Sequence, residues 1–254
     1  LKVKSNDWLR QSSDGSLSAY NKAFDECYHS LKDGALSETL YKHIYPSLAH
    51  LEYVFKSLPT TINVLDICFG LGYNSFTLLA MLCKKGYEGT LRIYSPEQDE
   101  AIFYALLDFD YPPFFAPYKV YMEEILLFFA NAPVCTINVY RITINKMICE
   151  FYIYKGDALE MLNILPQESF DIIYQDAFSP KKNPALWSEA YFSLLVSLLR
   201  SQGIVTTYSQ SRSIVQNALR AGLKVYNYES GIVRGGSLMS KDTLNFTRLK
   251  ARLA

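Results

Sequence analysis

Carboxylates recur at the ends of short apolar runs in this chain. Asp66 lies within 62–68, and Glu97, Asp157 and Asp176 follow the runs 91–95, 149–154 and 170–174. Open parallel sheets bind ligands at the carboxyl ends of their strands, so these acids form one candidate set. Gly70 and Gly72 in Asp66-Ile-Cys-Phe-Gly-Leu-Gly72 permit a turn tight enough for backbone N–H groups to approach a ligand. Glu97, 25 residues beyond Gly72, has the spacing of a carboxylate that accepts both hydroxyls of a ribose. Asp157 is placed to accept from an adenine amino group. Singly, each acid is as well explained as a helix N-cap or a solvated loop residue; in conjunction they point to a nucleoside-containing cofactor.

The third glycine of the dinucleotide fingerprint is missing, with Asn74 and Ser75 in its place, and no Lys follows as in a phosphate-gripping loop. An acidic pocket of this kind suits the positive sulfonium of S-adenosyl-L-methionine better than a pyrophosphate.

The elements that must hold these residues follow from the hydrophobic pattern. From about Thr61 onward, β-branched runs alternate with amphipathic stretches, the mark of a sheet wound with helices on both faces. Strands are expected at 62–68, 91–95, 149–154, 170–174, 203–209, 224–228 and 245–249, with helices ending near Lys84, Leu107, Ala130, Leu165, Leu199 and Ala221. Seven mostly parallel strands with an antiparallel final one describe the Rossmann-like class I methyltransferase fold. The alternating run 136–144 can fold back on 149–154 as a hairpin and is read as an insertion. Residues 1–58 are read as an N-terminal lobe, helical over 37–45 and 47–58, packed on a core domain of 59–254.

Composition sets the outer limits. The chain has 254 residues, half of them apolar, enough for one large α/β core. Its apolar runs, such as Ile125-Leu-Leu-Phe-Phe-Ala130, are far short of the roughly 20 residues that cross a bilayer, and no secretory signal opens it, so a soluble, cytoplasmic protein is expected. Five cysteines without a C-x-x-C pair argue against disulfides and zinc, and no metal is expected. Lysine plus arginine equals aspartate plus glutamate at 25 each, yet from Arg212 onward eight basic residues face two acidic ones, a solvated face or a phosphate-binding edge.

The most specific stretch is Asp176-Ala-Phe-Ser-Pro-Lys-Lys-Asn-Pro-Ala-Leu-Trp187. It resembles the signature of the MnmC/MnmD family, the tRNA 5-methylaminomethyl-2-thiouridine-forming methyltransferases. Tyr28-His-Ser-Leu-Lys-Asp-Gly-Ala-Leu-Ser-Glu38, Phe69-Gly-Leu-Gly-Tyr-Asn74 and Arg234-Gly-Gly-Ser-Leu-Met239 are similar to the same family, with Leu71 and Tyr73 where relatives commonly carry Thr and Leu. The resemblance implies methyl transfer from S-adenosyl-L-methionine to the aminomethyl group of a wobble uridine in tRNA. It assigns Asp66, Phe69, Gly70, Gly72, Asn74, Glu97, Asp157, Ala158 and Asp176 to the cofactor. It assigns Tyr28, Glu38, Phe178, Pro180, Lys181, Lys182 and Arg234 to the substrate. Asp176 is then the candidate catalytic group, orienting the amine and taking its proton, or a ligand of the methionine amino group alone. The chain ends before any flavin-dependent oxidase part, so a stand-alone methyltransferase is expected. Phe178 can stack on the flipped base, Lys181 and Lys182 can touch anticodon phosphates, Trp187 is read as core, and His29 as structural. The rival readings are a spermidine-synthase-like aminopropyltransferase and a non-catalytic tRNA- or nucleotide-binding module.

Overall fold

The computed structural model describes residues 6–245 and 249–252. Three short antiparallel strands open it, β1 (Leu9–Gln11), β2 (Leu17–Asn21) and β3 (Glu26–Cys27). Helix α1 (Ala35–Thr39) then runs through one π-helical turn, Leu40–Ile44, into α2 (Tyr45–Phe55). The two helices expected before residue 58 are therefore one continuous segment, with Pro46 two residues beyond the π-helical turn. The small sheet went unpredicted because strands of two to five residues carry almost no alternation.

The wound core follows as β4 (Thr61–Ile67), α3 (Tyr73–Lys84), β5 (Thr90–Glu97), α4 (Ile102–Leu107), α5 (Lys119–Ala130), β6 (Ile137–Ile144), β7 (Met147–Lys155) and α6 (Ala158–Ile164). It continues with β8 (Phe170–Gln175), α7 (Glu189–Leu198), β9 (Leu199–Thr207), α8 (Arg212–Arg220), β10 (Lys224–Tyr228), β11 (Gly236–Ser240) and β12 (Leu249–Arg252). The main sheet runs β12-β10-β11-β9-β8-β4-β5-β7-β6, with β9, β8, β4, β5 and β7 parallel. This is the Rossmann-like arrangement, carried on nine described strands where seven were expected.

Two differences account for the count. The expected hairpin β6–β7 forms, but as part of the main sheet: β7, itself an expected strand, pairs in parallel with β5 from Ile148 to Lys155, and β6 extends the sheet by one edge. The antiparallel strand between β9 and β10 is β11, not the expected 245–249, of which residues 246–248 lie outside the described residues. The sequence Gly236-Ser-Leu-Met-Ser240 hides a buried strand because its serines mimic a loop. In the fold Ser237 Oγ donates to the Ser209 carbonyl and Ser240 Oγ to that of Gly203, both at 2.7 Å, which meets the polarity internally.

The period-two pattern of β4 divides the core. Ile62 and Val64 join the apolar cluster of α2–α5, whereas Leu65 and Ile67 face that of α6–α8. Among the described residues no helix is long and apolar enough to cross a membrane.

Candidate active site

The carboxyl ends of β4, β5, β7 and β8 open on a cavity of about 970 Å³, roofed by the N-terminal segment. Seven acidic residues line it (Glu26, Asp33, Glu38, Glu97, Asp99, Asp157, Asp176) against two basic ones, Lys42 and Arg234.

The turn after β4 is wound tightly, with Cys68, Gly70 and Gly72 at φ of 68°, 54° and 73°. Glycine is required at 70 and 72 for more than this angle. A Cβ at Gly70 would lie 3.1 Å from the Tyr28 ring, and one at Gly72 2.7 Å from the Phe76 ring. Glu97 ties the turn to the next strand: Gly70 N–H donates to its Oε2 at 2.7 Å and Asp99 N–H to its Oε1 at 2.8 Å. Each oxygen keeps a further lone pair for a ligand. Burial pushes the Glu97 carboxyl up to about 7.

Asp157 is the N-cap of α6. Its Oδ1 accepts from the N–H groups of Leu159 at 2.7 Å and Glu160 at 3.3 Å. The N-cap and ligand readings are compatible, because the same residue, with Ala158, lines the cavity.

Asp176 stands just beyond β8. Asn74 Nδ2 donates to its Oδ2 at 2.9 Å, and Nε2 of the buried His43 lies 3.7 Å from its Oδ1. Burial opposes the charge of this carboxylate, but His43, His29 and the Asn74 amide outweigh it and hold the group below its ordinary range. Burial lowers the pKa of the His29 imidazole, which also lines the cavity.

The roof is built from aromatic and charged pairs. Phe178 stacks on Phe24 with centroids 4.6 Å apart, Tyr28 leans on it at 5.1 Å, and Trp187 Nε1 donates to the Phe178 carbonyl at 2.7 Å. Trp187 is 2% exposed, a core residue that also pins the loop. Lys42 Nζ bonds Glu38 Oε1 at 2.6 Å and Asp33 Oδ2 at 3.0 Å, while Ser30 N–H donates to Glu38 Oε2 at 2.8 Å.

The fold thus gathers Tyr28, Glu38, Phe69, Gly70, Asn74, Glu97, Asp157, Ala158, Asp176, Phe178 and Arg234 at one cavity. Asp66, Gly72, Pro180, Lys181 and Lys182 do not line it. Asp66 lies one layer behind, fully buried, accepting from Ser75 Oγ at 2.7 Å and Asn74 Nδ2 at 3.3 Å; burial pushes it up to about 7. Lys182 is engaged with Asp25 at 2.8 Å, beside the Glu26 carboxylate that accepts from Ser179 N–H and Oγ. Sequence reasoning missed His43, Lys42 and Asp33. The available signal was the spacing of Thr39, His43, Ser47 and His50, a polar stripe at helical intervals, all four buried.

Known proteins match this architecture. The family model described as S-adenosyl-L-methionine-dependent methyltransferase matches residues 121–235. The crystal structure of MNMC2 from Aquifex aeolicus superposes with a TM-score of 0.74 at 29% identity, covering 92% of this chain and 70% of that one. The chain has the Rossmann-like fold of S-adenosyl-L-methionine-dependent methyltransferases and is similar to that family over residues 121–235. Within that class it is similar to MnmC proteins. The tRNA 5-methylaminomethyl-2-thiouridine biosynthesis bifunctional protein MnmC of Azoarcus sp. is 28% identical over 212 residues, 81% of this chain and 31% of that protein. An uncharacterised protein of Methanocaldococcus jannaschii is 25% identical over 241 residues, 94% of this chain and 61% of its own length. The chain therefore spans about a third of the MnmC protein and under two thirds of the archaeal one.

Proposed function

We propose that the chain methylates the nitrogen of the 5-aminomethyl group on a tRNA wobble uridine, with or without a 2-thio group, giving the 5-methylaminomethyl form. The observation that carries this reading is Asp176, a carboxylate held ionised in an acid-lined cavity at the strand ends, within the stretch most like the MnmC signature. The bifunctional relative bears that reaction pathway in its name, and the Aquifex structure shares the fold.

The residues present fit S-adenosyl-L-methionine on chemical grounds. Glu97 and Asp157 retain free lone pairs for ribose hydroxyls and an adenine amino group. Gly70 lets the backbone come close, and the buried Oδ1 of Asn74 lacks a hydrogen-bond partner among the described residues. Asp66 acts behind them by orienting Asn74. When bound, the cofactor supplies an electrophilic methyl group on a positive sulfonium.

The acceptor amine must be neutral to attack, and an alkylamine with a pKa near about 10 arrives protonated. Asp176 would bind and orient the ammonium and take or relay its proton first, leaving a neutral amine whose lone pair can reach the methyl group that the bound cofactor would supply. Tyr28, Glu38 and Arg234 line the acceptor side, with Phe178 as the aromatic wall for the base. Pro180, Lys181 and Lys182 shape the loop outside.

The test is transfer of labelled methyl from S-adenosyl-L-methionine to tRNA bearing 5-aminomethyluridine. Wild-type protein should label it, and Asp176→Asn should lower kcat by about 10²- to 10⁴-fold with cofactor affinity little changed. Absence of labelling by wild type, with tRNA bound, would show a binding module instead.

A further inference from the structure

Behind Asp176, on the side away from the cavity, lies a fully buried imidazole, His43, on the π-helical turn between α1 and α2. Its Nδ1 is 2.7 Å from Thr206 Oγ1 on β9, and its Nε2, with no hydrogen-bond partner among the described residues, points to Asp176 Oδ1 at 3.7 Å. We propose that His43 is a positioning residue for Asp176: the Thr206 hydroxyl fixes its tautomer, and its Nε2–H holds the carboxylate from behind while Asn74 holds it from the side.

Several observations converge on this assignment, which rests on the role given to Asp176 above. A buried nitrogen left without a partner costs about 1–3 kcal/mol, so a helix packing for stability alone would place an apolar side chain here. The ring also packs edge-on to the Tyr174 ring, centroids 5.6 Å apart at 73°. A hydrogen bond needs an N···O distance near about 3 Å, and catalytic contacts that are long without ligand commonly close when substrate binds. A π turn widens a helix locally and recurs at functional sites; here it sits at the residue that approaches the carboxylate.

The charged and titratable groups around His43 are Asp176 from the loop after β8, Asp66 on β4, Tyr174 on β8 and His29 from the segment after β3. Of these, Asp176 makes the closest approach to Nε2 that the structure records. With Nε2–H toward Oδ1 and the Asn74 amide on Oδ2, the lone pairs that remain on the carboxylate face the cavity.

The experiment titrates Asp176 directly in the whole protein by carboxyl carbon NMR, its resonance assigned with Asp176→Asn. Wild type is compared with Thr206→Val, which removes the hydroxyl at nearly constant shape, and with His43→Gln and His43→Phe. The titration midpoint of Asp176 should rise by about one unit in Thr206→Val and His43→Phe, and by less in His43→Gln, whose amide restores an N–H. In parallel, kcat for methyl transfer should drop about tenfold, its acidic limb moving to higher pH while KM for the cofactor stays constant. An Asp176 midpoint unmoved in Thr206→Val and His43→Gln overturns the assignment, even if His43→Phe fails to fold. If wild-type protein transfers no methyl, the functional reading falls, and the titration still decides the role of His43.

Discussion

Asn74 spends its side-chain amide on two carboxylates at once, Asp66 behind it and Asp176 in front. That arrangement gives neighbouring acids opposite electrostatic characters: Asp66 is pushed up to about 7 by burial, while Asp176 is held low by His43, His29 and Asn74. Glu97 shares the upward shift, to about 7, again through burial. Both raised groups keep their protons in the folded protein at pH values where the unfolded chain, with ordinary carboxylates near about 4, has released them. Their contribution to stability is therefore complete below about pH 4 and lost as pH rises through about 7. Thermal unfolding of the free protein should show this as a falling Tm across that window, and Asp66→Asn should flatten the part due to Asp66. A second expectation follows for binding. Ribose hydroxyls donate to an ionised Glu97, so affinity for S-adenosylhomocysteine, which lacks the sulfonium charge, should weaken by up to about tenfold per pH unit below 7. Calorimetry across pH 5.5 to 8 checks it, and Glu97→Gln should abolish the slope while weakening binding throughout.

At the level of elements, the strand-end acids were legible because a buried parallel strand is an apolar run, and the polar residue that ends it is conspicuous. Asp157 and Asp176 needed no tertiary information to be found. The partner His43 of Asp176 was not legible, for a specific reason: with Thr39, Ser47 and His50 it forms a polar stripe on the α1–α2 segment that reads as a solvent face but is buried. Thr206, Tyr174 and the Gln202 carbonyl meet three of the four there. The same limit applied to the loop lysines, since the acid that engages Lys182 comes from a hairpin 157 residues earlier. That hairpin carries a further prediction. Glu26 on β3 accepts from both N–H and Oγ of Ser179, clamping the loop that presents Phe178. Removing the clamp with Glu26→Ala should raise KM for tRNA several-fold and speed amide hydrogen exchange at Ser179, with cofactor affinity unchanged. Equal losses in cofactor and tRNA binding would show instead that β3 supports the whole cavity.

Across the whole molecule, positive and negative charges balance while the cavity wall is acidic, so a polyanion cannot be drawn in by the overall field. Attraction must come from local patches, and the structure trims the basic C-terminal region as a source of them. Arg220 lies 3.9 Å from Glu189 and Lys241 3.2 Å from Glu168, so part of the excess that begins at Arg212 is met within the protein. Arg234 differs in lining the cavity itself, near Asp33, where, on the proposed function, it would meet a phosphate next to the target uridine. Each phosphate neutralised contributes a slope of about −0.7 to −0.9 to the dependence of log affinity on log salt. If only a few residues such as Arg234, Lys181 and Arg212 engage the tRNA backbone, the slope should lie near about −2 to −3, well short of the value for all eight C-terminal basic residues. Arg234→Ala should then make the slope shallower by about one contact and weaken binding to modified and unmodified tRNA alike, because a phosphate contact carries no base identity. Filter-binding or fluorescence titrations between 50 and 300 mM salt measure both quantities. A slope near −6 or steeper, unchanged in Arg234→Ala, would instead return the tRNA to the C-terminal edge.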